Sequence, residues 1–471
     1  MSRVPAIALA LMAGSAVAEE GSVHFGGRFG TRIHLGMHDC DSGSTCRFLN
    51  FRNSNVLGLT VEAHPSRTVD VSGGVLVRNV NFADIETLSD TGSIAEVQPV
   101  DVRPLESKIL LTELFGADGL DLVAGMVRIP WGTADAVSPT DVVNPYDLED
   151  GTGFAQRLPS FALGLSYEAS DFRAEVFVLP LFSPAILPID AIDVTALGDP
   201  GSVFELKMHA GSDPPEIRRV ETPTTTPEPA AENVQVAVRT RYRSPVGDFS
   251  LMFYKGFESM PQASGEARLS GFQTSNRVDL GVPLIYPRLM MAGADWRGEV
   301  GGPVSAWVDV GVFFPEGAAL TAARSQLEAL VKLGRLDEVP DPIPEEVTQS
   351  DAVYVKAVAG IDMTLAEHLY LNLQYAYGMA LERQRGDLHH YALTIIRVSL
   401  LDDRLELSAQ GGLEVAGLEQ LGFQAGGAVS WLHGDAARLT LGTTFIGGQT
   451  GTTFDKIERL SNLYLAIDTR F

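Results

Sequence analysis

Eighteen stretches of this chain, each of about ten residues, alternate apolar with polar side chains. They run over 23–35, 55–63, 68–81, 107–115, 120–128, 161–167, 172–179, 233–243, 248–256, 288–296, 304–314, 353–363, 369–378, 391–400, 405–411, 423–431, 437–446 and 462–471. In an extended strand successive side chains point to opposite faces, so each stretch has an oily side and a wet side. In the last of them Leu463, Leu465, Ile467 and Phe471 share one face, and Asn462, Tyr464, Asp468 and Arg470 the other. A length near ten residues is what a tilted strand needs to cross a bilayer.

The connections constrain the fold further. Tight, turn-rich links at 64–67, 116–119, 168–171, 245–247, 298–302, 364–368, 401–404 and 433–436 alternate with longer ones at 36–54, 82–106, 129–160, 180–232, 257–287, 315–352, 379–390, 412–422 and 447–461. A membrane barrel keeps its short turns on one rim and its long loops on the other. A soluble sandwich or propeller has no reason to do so. The pattern therefore predicts an all-β fold, a transmembrane antiparallel up-and-down β-barrel of about 18 strands, with 16 as the alternative count. Short turns would be periplasmic and long loops extracellular.

The N-terminus reads as an export signal. Arg3 precedes an apolar run from Ala6 to Ala13, and Ala16-Val17-Ala18 is a small-x-small cleavage site before Glu19. The run is too short for a spanning helix, which needs roughly 20 residues. Removal of residues 1–18 leaves 453 of the 471 residues as one predicted barrel domain, 19–471, placed in the outer membrane. The net charge of −25 argues against nucleic-acid binding. Cys40 and Cys46 are the two cysteines, and a pair so close in an exported chain is predicted to form a loop disulfide. Such a link would contribute ~2–3 kcal/mol. A metal site from His34, His38 and Cys40 is the weaker alternative, because the disulfide would consume the thiol.

Two motifs stand apart from the strands. The first is Arg128-Ile129-Pro130-Trp131-Gly132-Thr133-Ala134-Asp135, continuing through Pro139, Asp141, Asn144, Pro145 and Asp147. The second is Phe177-Val178-Leu179-Pro180, then Phe182-Ser183-Pro184 and Leu187-Pro188. Together they resemble a poorly characterised proteobacterial family of outer-membrane porin-like barrels with an R-x-x-W-G-x-x-D…N-P-x-D segment. The terminal strand, ending on Phe471, also resembles those of Gram-negative outer-membrane barrels, in which the final aromatic belongs to the assembly signal. These resemblances imply recognition by the barrel assembly machinery, and passage or export of lipophilic or organic-acid compounds, with a possible inner-membrane exporter as partner. They imply no cofactor.

Physically, the long segment 129–160 can fold inward and narrow a pore, stiffened by Pro130, Pro139 and Pro145. Its candidate constriction residues are Arg128, Trp131, Asp135, Asp141, Asn144 and Asp147. The carboxylates either shape the loop or contact solute. If the apolar face of each strand meets lipid, then Arg28, Arg32, Arg173, Arg239, Arg241, Lys356, Arg397, Arg438 and Arg470 face the lumen, with Glu175, Asp295, Asp309, Asp362 and Asp468. Such a wall either favours anions or pairs its charges across strands. Residues 222–233 are low in complexity, and 317–334 carry Leu320, Leu327, Leu330, Val331 and Leu333 at helical spacing, for rim packing or a gating lid.

The function these residues predict is a porin-like channel for small organic solutes, anionic or lipophilic. A sleeve or receptor for a partner protein is the alternative. An outer-membrane hydrolase has only His389 and His390 beside Asp387, with Ser461, and no G-x-S-x-G segment, in its favour.

Overall fold

A computed structural model describes residues 21–37, 51–80, 99–134, 137–148, 156–187, 216–270, 277–334, 336–343, 345–366, 368–417, 420–434 and 436–471. The signal segment, Cys40, Cys46 and Asp135 lie outside the described residues.

The strands are β1 (Ser22–Gly36), β2 (Phe51–Ser66), β3 (Val69–Val80), β4 (Val100–Pro104 and Ser107–Leu111), β5 (Leu120–Val127), β6 (Ser160–Ala169), β7 (Phe172–Leu179), β8 (Gln235–Ser244) and β9 (Gly247–Phe257). They continue as β10 (Arg288–Gly301), β11 (Val304–Pro315), β12 (Tyr354–Leu365), β13 (Leu369–Tyr377), β14 (His390–Leu400), β15 (Leu405–Ala416), β16 (Gln420–His433), β17 (Ala437–Gly448) and β18 (Asn462–Arg470). Each pairs antiparallel with the next. The main sheet has nineteen segments, and two of them, Val100–Pro104 and Ser107–Leu111, are halves of one wall strand against β3, which makes eighteen. Pairing of β1 with β18, from Arg28 opposite Arg470 to Gly36 opposite Asn462, closes the cylinder. Eighteen is thus the strand number, not sixteen.

Closure leaves no sheet edge, the only way a β structure satisfies its backbone inside hydrocarbon. The outward face is apolar and uncovered: Phe25, Leu163, Leu251, Phe423, Leu441 and Leu465 are all exposed. Leaving such a belt in water would cost about 25 cal/mol per Å², so the cylinder fits a bilayer. No helix among the described residues is long and apolar enough to cross a membrane.

Three predicted boundaries shift most. The longer link expected over 412–422 is only residues 417–419, because β15 runs to Ala416 and β16 begins at Gln420, so the alternation of long and short links fails there. The long link expected over 82–106 contains the first half of β4, because Val100 and Val102 alternate outward against Asp101 and Arg103 inward. The helix expected over 317–334 is a strand, Ala318–Ala322, followed by α1 (Arg324–Lys332). Leu320, Leu327 and Leu330 pack with Ala267 and Leu280 over a five-stranded sheet built from the long loops, with the rim packing that their spacing suggests. Thr224–Thr225, in the low-complexity stretch, pairs with Leu284–Ile285.

Candidate functional site

The segment after β5 turns into the barrel. Its entry is fixed by Asn144, which is buried. The Asn144 Oδ1 accepts from Ile129 N at 2.6 Å, and Nδ2 donates to Val127 O and Leu158 O, each at 3.0 Å. One side chain thus ties the end of β5, the loop, and the return toward β6. Beside it Arg157 Nε donates to Asp141 Oδ2 at 2.8 Å, and its Nη2 to Asp141 O at 2.8 Å, while the guanidinium lies 3.2 Å from the Tyr146 ring centroid. Burial pushes the Asp141 carboxyl above its ordinary value despite Arg157. Trp131 is buried with Ile129 and Val143 against Phe177, Met252, Met291 and Phe313 of the wall.

The tip of the loop is held by Asp309 of β11, which is fully buried. Its carboxylate accepts from Thr133 N at 3.0 and 3.1 Å, from Ala134 N at 3.1 Å, from Ser138 Oγ at 2.7 Å and from Thr133 Oγ1. Gly132 makes this approach possible: its φ is +83°, and a Cβ there would collide with Ser138 and Asp309. Arg239 of β8 donates to Pro130 O at 3.3 Å, Ser250 Oγ at 3.1 Å and Asp295 Oδ2 at 3.4 Å.

Two more loops descend beside it. Glu382, between β13 and β14, meets His389 Nδ1 at 3.1 Å. It also accepts from Met379 N at 2.8 Å, Thr453 Oγ1 at 3.0 Å and the Tyr391 hydroxyl. Glu414 of β15 accepts from Thr453 N at 2.7 Å and Phe454 N at 2.9 Å, the first turn of α2 (Thr453–Lys456), and meets His389 Nδ1 at 2.7 Å. Burial disfavours the Glu382 anion, but the hydrogen bonds from His389, Tyr391 and two backbone amides outweigh it and hold the carboxyl below its usual range. The hydrogen bond to Glu382 raises His389 above the ordinary histidine value against the opposing effect of burial. The donor atoms of Glu382, His389 and Glu414 stand within 4.8 Å of one another, a spacing that could hold a cation. Every carboxylate oxygen already accepts from protein donors, however, so the cluster reads as a charged latch between loops. His390 and Ser461 do not join it in a catalytic arrangement: His390 Nδ1 is 2.7 Å from Tyr375 OH, and Ser461 Oγ donates to Ile446 O at 3.0 Å.

The packing is lopsided. Val137 of the first loop meets Trp307, Val358, Ala376 and Tyr391 of the wall, and the cluster extends to Ile446 and Phe454. Arg239 and Lys356 are buried on that side, and Lys356 Nζ donates to Met379 O at 2.8 Å. Nearer the short-turn rim Arg28, Arg397, Arg438 and Arg470 are exposed, and so is Asp468. Arg438 stands 3.7 Å from Glu406, and Arg397 lies 5.4 Å from the Tyr370 ring centroid. Arg28, Arg241, Arg397 and Arg470 have no ion pair among the described residues. Arg32 lies 5.5 Å from the Tyr464 ring centroid. Arg173 pairs with Glu168 at 3.0 Å and Glu175 at 2.9 Å. Of the loop residues, Asp147 meets Arg103 at 3.4 Å, and the Arg128 side chain is exposed, with its amide donating to Glu106 at 3.1 Å. Sequence reasoning placed Asp309 among inward acids but gave no sign of its loop partners. It missed Glu382 and Glu414 as partners of His389: Glu414 fell in the predicted link 412–422, whereas β15 runs on to Ala416 and buries it.

No protein-family model matches the chain, and no curated protein matches it. Among solved structures it is similar to OccAB4 of Acinetobacter baumannii, at 8% identity and a TM-score of 0.48 over 95% of this chain and 97% of that one. It is similar to the outer membrane protein OpdK of Pseudomonas aeruginosa, at 8% identity and a TM-score of 0.47 over 95% and 98%. It is also similar to Wzi of Escherichia coli, described as a carbohydrate-binding β-barrel, at 10% identity and a TM-score of 0.45 over 95% and 84%.

Proposed function

We propose that this chain is an outer-membrane channel that passes small organic solutes, with a preference for anions. One observation carries the reading: infolded loops pack against the wall toward its long-loop end, while nearer the short-turn rim exposed arginines, Arg28, Arg397, Arg438 and Arg470, meet solvent. A water path beside a packed loop has the form of a constricted pore, and cationic groups in a narrow low-dielectric passage favour anions. Arg32 and Arg241 extend the same wall, whereas Arg173, Arg239 and Lys356 serve to hold the barrel and its loop together. Trp131, Asp141 and Asn144 give the constriction its shape, and Arg128 and Asp147 stand at its base. Assembly would proceed through the Phe471 strand, and an inner-membrane exporter would supply solute if the direction is outward.

Conductance in planar bilayers tests the reading. The protein should form discrete openings, with a reversal potential in a KCl gradient displaced toward that of chloride. Replacing Arg28 and Arg470 with Gln should move it toward cations. Asp309→Ala should release the loop tip and raise single-channel conductance, at a cost of about 3 kcal/mol in stability. A protein that never conducts, or an Asp309→Ala variant with unaltered openings, overturns the assignment of the pore or of its constriction respectively.

A further inference from the structure

Two hollows lie back to back across one spot in the wall. The outer one, about 480 Å³, is apolar and is bounded by Phe25, Leu59, Val61, Val75 and Phe471, all on the lipid-facing side, with Gly73 and Gly74 in its floor. The inner one, about 450 Å³, opens on the lumen between Leu105, Leu110, Lys108 and Arg128. Both are lined by Thr60, Val61 and Gly73, so a single layer of wall separates them, and at Gly73 that layer has no side chain.

The ladder is also interrupted there. Val75 pairs with Pro104 and Ser72 with Lys108, so Gly73 and Gly74 of β3 stand opposite three residues, Leu105, Glu106 and Ser107. This is a bulge, which interrupts the ladder. Pro104 has no N–H to give. In place of regular rungs, Leu105 N donates to Gly74 O at 3.0 Å, and Gly74 N donates to the Ser107 hydroxyl at 3.1 Å. Of the polar groups around the inner hollow, His64 stands 2.5 Å from Asp70 and Lys108 3.5 Å from Glu106, while Glu62 and Arg128 line it as well.

We propose that this bulge is a lateral passage through which an uncharged lipophilic molecule moves between the lumen and the membrane hydrocarbon. The outer hollow receives it because that hollow is apolar and lies within the lipid-facing belt. A charged solute is excluded by the cost of leaving water for hydrocarbon. The passage rests on the channel reading and adds a second exit to it.

A cross-link tests it. A Cβ on Gly74 would stand 3.1 Å from the Leu105 Cβ, just short of the ~3.5–4.5 Å span of a disulfide, so the cross-link forms once the two strands part by a few tenths of an ångström. The full chain carrying Gly74→Cys and Leu105→Cys is oxidised in intact cells, with the unsubstituted protein taken through the same cycle. Entry of the neutral probe N-phenyl-1-naphthylamine into the membrane is followed by fluorescence. Oxidation should slow entry several-fold and a reductant should restore it, while KCl conductance of the purified protein stays the same. Gly73→Leu is the second variant: a Cβ there has its nearest neighbours at 3.7 and 3.8 Å, so the side chain fits and fills the outer hollow. It should slow entry without any oxidant. Equal rates in both variants and the parent overturn the passage while leaving a conducting channel intact. Loss of conductance in the parent itself would instead remove the channel reading.

Discussion

Asn144 shows what a short motif encodes. The sequence singled it out beside Asp141 and Asp147, and either shape or solute contact could explain the set. In the fold Asn144 spends its amide on three loop and strand backbones, and Asp141 binds Arg157 in a buried pair. Each partner lies within about 20 residues, so the motif's spacing records a local design. Asn144→Ala leaves buried amide and carbonyl groups without partners, and should cost ~2–3 kcal/mol. Urea titration of the barrel in detergent measures it, and Asn144→Asp should be nearly as harmful because a carboxylate cannot donate. Asp309 is the opposite case. It faces inward by alternation, but its partners Thr133 and Ala134 are 176 and 175 residues away, and nothing in either segment announces the other.

At the scale of elements, strands were legible and their irregularities were not. Alternation gave β1 and β18 their extents, but β4 hides its first half behind Pro104 and a bulge, since a bulge breaks the period on which the reading depends. The latch between the 378–389 and 449–461 loops has a testable pH dependence. The folded state raises His389, so its contribution is complete below the unfolded value near 6.5 and is lost as pH rises through the raised one. Glu382 is lowered, so its contribution is present above the usual carboxylate range and is lost as pH falls through its depressed value. Asp387 and Lys456 line the same cavity and face the latch. Protease cleavage within 378–389 should therefore be slowest in mildly acidic to neutral buffer and should accelerate toward alkaline pH. His389→Gln should abolish the alkaline acceleration and raise cleavage at neutral pH.

At the scale of the molecule, the barrel is closed by its last strand. Phe471 N donates to Gly27 O at 3.0 Å, Gly27 N to Phe471 O at 2.8 Å, and the Phe471 ring lies against the outer surface of Gly27. Removing Phe471 shortens the seam by its final rungs and strips the terminal aromatic. The variant should assemble more slowly, with a smaller fraction migrating as the heat-modifiable folded form on gels and more degradation in the periplasm; unchanged assembly would remove any role for this residue in closure.

The sequence by itself determined the architecture. Period-two alternation, and the exchange of short for long links everywhere but at 417–419, follow from one boundary condition, a wall between lipid and water, which acts on every residue locally. The same alternation is the basis on which we assign arginines to the inner face. Only the tertiary structure decided which of those arginines meet solvent and which are sealed behind a loop. That choice depends on where a loop comes to rest inside a closed cylinder, held by side chains distant along the chain, and no local periodicity carries such a contact.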